Sequence, residues 1–191
     1  MEILEIEVPI NKKNDNKKSF YSIKDNLLKF FYGFIAPSIS NLNRFGPDWV
    51  WERALKRQLS TFISRRYEDI IGEYIRRVSW NNPDINIFDV GTYWFDKEST
   101  NREFDVVVKQ KAGFFVISVK YLSGVMEKAM EKDEKSKILE AEEIPIAGFG
   151  FASVLGFENE SDDVLRISGY DIYSEDEVKS GNALRQYLGT V

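Results

Sequence analysis

Apolar and polar residues alternate from Ile3 to Ile10, with Leu4, Ile6 and Val8 set against Glu5 and Glu7, which is the two-residue period of a strand. A polar, lysine-rich run over residues 11–18 reads as a loop, and Ser19-Phe20-Tyr21-Ser22-Ile23 as the returning strand of a hairpin. Asp25 is placed to cap a helix over residues 26–35, which Pro37 should stop. Residues 41–47 carry turn formers and read as a loop. Residues 49–78 are strongly helical, with a weak point at Leu59-Ser60-Thr61. Ile63, Tyr67, Ile70, Ile71, Tyr74 and Val78 recur at helical spacing, so residues 60–78 are expected to pack that stripe on a sheet.

Asn81-Asn82-Pro83-Asp84 ends the helix, and residues 85–93 read as a strand followed by a polar loop over residues 96–101. Two short apolar runs, residues 104–109 and 114–120, flank Gln110-Lys111-Ala112-Gly113 and predict a second hairpin. Residues 125–143 form a charged helix with many opposite pairs four apart. Residues 145–155 read as a glycine-rich buried strand, 165–172 as a last strand, and 183–188 as a short helix. The order predicts a mixed α/β fold with helices packed on a central sheet, an N-terminal hairpin-and-helix extension over residues 1–45, and a main domain over residues 46–191.

The chain has neither cysteine nor histidine. That excludes disulfides, thiolate catalysis, the Ser-His triad and nearly all zinc and non-haem iron sites. Carboxylates without imidazole favour hard cations, magnesium above all. No phosphate-binding glycine loop is present, since Gly148-Phe149-Gly150 is too short for one, so no nucleotide site is expected. Nothing reaches the length of a membrane helix, and the acidic opening Met1-Glu2-Ile3-Leu4-Glu5 does not suit an export signal; a cytoplasmic protein without a membrane partner is expected. The net charge is −5, yet residues 1–80 hold 14 basic and 10 acidic residues against 12 and 21 in the remainder. Arg65, Arg66, Arg76 and Arg77 are the candidates for binding DNA phosphates; the bland alternative is a solvated helix surface.

The second hairpin carries the candidate chemistry. Pairing Lys109 with Phe114 sets Asp105 opposite Ser118, and Glu103 opposite Lys120, on one sheet face. A metal-dependent phosphodiesterase needs carboxylates to hold the ion and profits from a lysine at the phosphate. A cross-strand ion pair between Glu103 and Lys120, purely structural, meets the same pattern.

Asp105, followed by Val119-Lys120 on the next strand, resembles the PD-(D/E)XK nuclease superfamily of restriction-endonuclease-like fold. That family also takes a glutamate from a preceding helix, a role the resemblance assigns to Glu68 in Tyr67-Glu68-Asp69. The stretch from Lys18 to Tyr32 is similar to a segment of archaeal ATPases that joins a winged-helix region to a C-terminal domain of unknown function with the nuclease-like fold. Tyr67-Glu68, Val90-Gly91-Thr92-Tyr93-Trp94 and Glu103-Phe104-Asp105-Val106-Val107 match that domain in order. The resemblance implies Asp105, Lys120 and Glu68 as catalytic residues, with Asp105, Glu68 and Glu103 around magnesium. It departs at Ser118, where the family has an acid, so impaired catalysis is expected. Two functions follow: a nuclease-like DNA-binding domain, or a regulatory module for an ATPase or other protein partner.

Overall fold

The computed structural model describes residues 3–12, 19–95, 103–141, 144–159, 163–173 and 177–189. It divides into two compact units, Met1–Arg65 and Arg66–Val191. The expected boundary after residue 45 falls inside the first, and the expected loop over residues 96–101 lies outside the described residues.

In the first unit β1 (Leu4–Glu7) pairs antiparallel with β2 (Phe20–Ile23). Its acidic side is the anchored one: Ser22 Oγ donates to Glu5 Oε1 (3.2 Å) and Lys29 Nζ lies 3.5 Å from the same oxygen. Leu4, Ile6 and Tyr21 stay exposed. Asp25 caps α1 (Asn26–Phe30) as expected, accepting from the Leu28 amide at 2.8 Å. The stop at Pro37 does not occur. A π-helical turn over Phe31–Ile35 lets the Ala36 amide reach back to the Phe31 carbonyl, and α2 (Ala36–Phe45) starts afresh with Pro37 in its first turn. Proline's missing donor and ring are tolerated there because a first turn has no partner for that amide. Residues 41–45 are therefore helix rather than loop, and the chain turns at Gly46 with φ of +82°, a conformation suited to glycine.

A short α3 (Pro47–Val50) and a second π-helical turn (Trp51–Leu55) lead into α4 (Lys56–Asn81), which runs unbroken through Leu59-Ser60-Thr61. Phe34, Val50 and Leu55 form a small core with Phe30 and Phe62 against it.

The second unit is a five-stranded sheet of order β3-β4-β5-β6-β7. β3 (Asp89–Trp94), β4 (Glu103–Gln110) and β5 (Gly113–Lys120) form an antiparallel meander. The crossover helix α5 (Lys128–Leu139) then brings β6 (Ile146–Ser153) parallel to β5, and β7 (Leu165–Ser168) lies parallel to β6. The central strands are apolar on both faces, as strands covered on two sides must be. One face packs on α4: Tyr67, Ile71, Tyr74, Ile75 and Val78 meet Val106, Val108, Ile117 and Val119, joined by Leu184 and Leu188 of α7 (Glu177–Leu188).

Three expectations change here. Ile70 is 41% exposed and Ile63 only half-buried, while Ile75 is fully buried. The seam runs through Ile71 and Ile75, one turn apart, and Ile70 lies about 100° off it. Residues 85–88 precede β3 rather than belong to it, although Ile85 is buried. The last strand stops at Ser168, whose amide and hydroxyl both donate to Asp171 Oδ2 at 2.7 Å, and the chain turns into α6 (Gly169–Tyr173).

Phe115 lies across β6, where glycine is required. A Cβ on Gly148 would stand 2.7 Å from the Phe115 ring, and one on Gly150 would stand 2.9 Å from the Leu165 carbonyl and 3.3 Å from the ring.

Candidate functional site

β4 and β5 pair in the register expected, from Gln110 with Gly113 to Val106 with Ile117. One residue further come Asp105 and Ser118, on the sheet face opposite α4, and Lys120 ends β5 on that same face. Asp105 is half-buried, and its carboxyl is pushed up to about 6 by burial; Lys120 opposes the rise, and the charges of Glu103 and Glu134 add to it.

Glu134 was not foreseen. It comes from α5, and its side chain is 13% exposed. Ser118 Oγ donates to Glu134 Oε2 at 2.7 Å, Lys120 Nζ lies 3.1 Å from the same oxygen, and Lys137 Nζ donates to Oε1 at 2.9 Å. Burial pushes this carboxyl up, but the hydrogen bonds from Lys137 and Ser118 and the charge of Lys120 outweigh it and hold the group below the usual carboxylate range. Lys120 is thus paired with Glu134 rather than with Glu103. One helical turn earlier, Glu131 takes Arg166 of β7 in two hydrogen bonds of 2.7 and 2.9 Å. Glu131, Glu134 and the buried Ile138 share the inner face of α5 at spacings of three and four, and that spacing was the only signal in the sequence.

The structure gathers Asp105, Lys120 and Glu103 in one electrostatic neighbourhood and adds Glu134 and Ser118. It does not bring Glu68 there. Glu68 is half-buried on α4, which covers the other face of the sheet, and it is not among the charges that move Asp105. Among the described residues no group of three acidic side chains is placed to hold a metal ion. Asp105 and Glu134 remain as two carboxylates, and magnesium, which keeps several of its waters, is commonly held by one or two. Both oxygens of Glu134 are held, Oε2 by Ser118 and Lys120 and Oε1 by Lys137.

The four arginines divide. Arg76 donates to the Val90 carbonyl at 2.8 Å and pairs with Glu73 at 3.3 Å, and Arg66 pairs with Asp69 at 3.3 Å. Arg65 and Arg77 are exposed. No helix among the described residues is long and apolar enough to cross a membrane.

No curated protein matches the chain. A crystal structure titled as a protein of unknown function, AF1548, is similar at 13% identity with a TM-score of 0.40, over 61% of this chain and 64% of that one, so the chain spans less than two thirds of its length. Residues 31–138 match the model of a family, DUF234, described as archaeal and bacterial proteins of unknown function. With more than half of its residues inside that match, the chain belongs to the DUF234 family.

Proposed function

We propose that the second unit is a nuclease-like nucleic-acid-binding domain whose hairpin site hydrolyses phosphodiesters with magnesium. The observation that carries the reading is the contact between Ser118 and Glu134. Where the PD-(D/E)XK pattern has an acid, this chain has a serine, and the serine hydroxyl holds a carboxylate delivered by α5. In this reading Glu134 stands in for the acid missing from β5 and offsets the impairment expected from Ser118.

In this reading Asp105 and Glu134 bind the ion, which when bound supplies an activated water and offsets charge at the phosphate. Lys120 faces the phosphate and stabilises the negative charge that builds on it. Ser118 orients Glu134. Asp105 binds a cation only as the carboxylate, so activity rises as pH passes about 6. Arg77 attracts the backbone phosphates. The likeness of residues 18–32 to the segment preceding such domains in archaeal ATPases supports work beside an ATPase partner.

The test is plasmid nicking with magnesium or manganese by the natural chain, Glu134→Gln, and Glu134→Gln with Ser118→Glu. The natural chain is expected to nick, Glu134→Gln to lose about 100-fold or more, and the double variant to recover part of the loss. An inert natural chain, or a Glu134→Gln variant as active as the natural chain, would overturn the proposal.

A further inference from the structure

We infer that a cavity lined by β7, the segment after β6 and α7 takes an unpaired nucleobase, which makes single-stranded nucleic acid the substrate class of the hairpin site. The inference rests on the preceding reading in taking the ligand to be a nucleotide; the cavity itself is a separate observation. Its volume is about 550 Å³, within the range of small-molecule pockets.

The placement comes from the sheet. Lys120, Ser153 and Ser168 lie in register on three neighbouring parallel strands. Two strand spacings, about 10 Å, separate the lysine from Ser168 at the cavity wall. A chain whose phosphate lies at Lys120 reaches the cavity with an adjacent base.

The chemistry of the walls selects a base over a phosphate. Arg166 lines the cavity, but Glu131 already neutralises it through two hydrogen bonds. Asp171 lines it too and adds negative charge. A phosphate would find no net positive field there. A neutral planar ring with donors and acceptors on its edge would find Asp171, Asn159 and Gln186 beside the rings of Tyr170 and Tyr187.

Tyr170 is 81% exposed at this cavity. Tyr121, which follows Lys120 directly, and Tyr173, at the end of α6, are exposed as well. Aromatic rings stand ready to stack on bases, and a base offers its face only when it has left the duplex.

The experiment measures fluorescence anisotropy of short labelled oligothymidylate and oligodeoxyadenylate, single-stranded and annealed, with the natural chain, Tyr170→Ala, Tyr170→Phe and Lys120→Ala. Tyr170 is exposed enough for either replacement to leave the fold intact. Tyr170→Ala is expected to weaken single-strand binding about 5- to 150-fold, the range of one lost stacking contact. Tyr170→Phe, which keeps the ring, should bind like the natural chain, and the duplex should bind less tightly than either single strand. Unchanged affinity in Tyr170→Ala, or equal loss in Tyr170→Phe, overturns the inference. Titration of the ¹³C-tyrosine-labelled protein with free adenosine and thymidine separates the two readings. Nucleosides that shift the Tyr170 ring while plasmid stays intact support the cavity and sink the hairpin reading. Nicking with no shift at Tyr170 does the reverse.

Discussion

Replacing Asp105 with asparagine should make the protein more stable and less able to bind a cation, and the size of the effect should depend on pH. An unperturbed aspartate titrates at 3.8, and the half-buried Asp105 at about 6. That gap corresponds to about 3 kcal/mol between the two protonation states. The folded chain holds the proton more tightly than the unfolded chain. The stabilisation from this group is therefore fully present below 3.8, falls as pH rises, and is gone above about 6. At pH 8 the natural chain carries a buried charge that Asp105→Asn lacks, so the variant should gain up to about 3 kcal/mol. At pH 5 the natural carboxyl is mostly protonated when folded, and the gain should shrink by about half. Urea denaturation followed by circular dichroism at the two pH values measures it. Magnesium should stabilise the natural chain at pH 8 more than the variant, which keeps only the Glu134 carboxylate for the ion. A gain equal at pH 5 and pH 8 would refute the reasoning, since burial of a titrating group could not produce it.

Two further outcomes follow from the packing. Ile71→Ala, at a position with no exposed surface, should cost about 2–5 kcal/mol in the same assay, and a loss below about 0.5 kcal/mol would mean the wrong face of α4 has been assigned. Arg77→Ala should lower the slope of log K against log salt for DNA by about one. Arg76→Ala, which loses the Val90 carbonyl, should instead cost about 1–2 kcal/mol of stability and leave that slope alone; the reverse pattern would reassign the two residues.

The hairpin was legible in the sequence because its strands are apolar on both faces and its turn is short. Only one register then sets Lys109 against Phe114, and it aligns Asp105 with Ser118. Glu134 was not legible, because α5 is polar on nearly every side. Its Lys137 sits between Asp133 at 2.6 Å and Glu134 at 2.9 Å, so the sequence reads as a helix satisfied by its own surface pairs. Which of those acids turns inward is decided by Ser118, Lys120 and Arg166, all distant in sequence. Glu68 illustrates the opposite limit. Helical periodicity says that it flanks the buried seam of α4, but not which face of the sheet that seam will cover. Pro37 is a local stop signal overridden by a turn of a different pitch.

The ring of Phe115 and the two bare positions on β6 bind the history of those residues together. Phe115 fills the space that side chains at 148 and 150 would occupy, so the three sites cannot drift independently. A relative that keeps the ring must keep glycine at 148, where even one added methyl would meet it. A relative that trims the ring frees that position to accept alanine or serine, and then β6 carries its own covering. Position 150 is freed less, because the Leu165 carbonyl still crowds it. Paired substitution at 115 and 148, with 150 lagging, is the pattern this packing would write into the family's sequences.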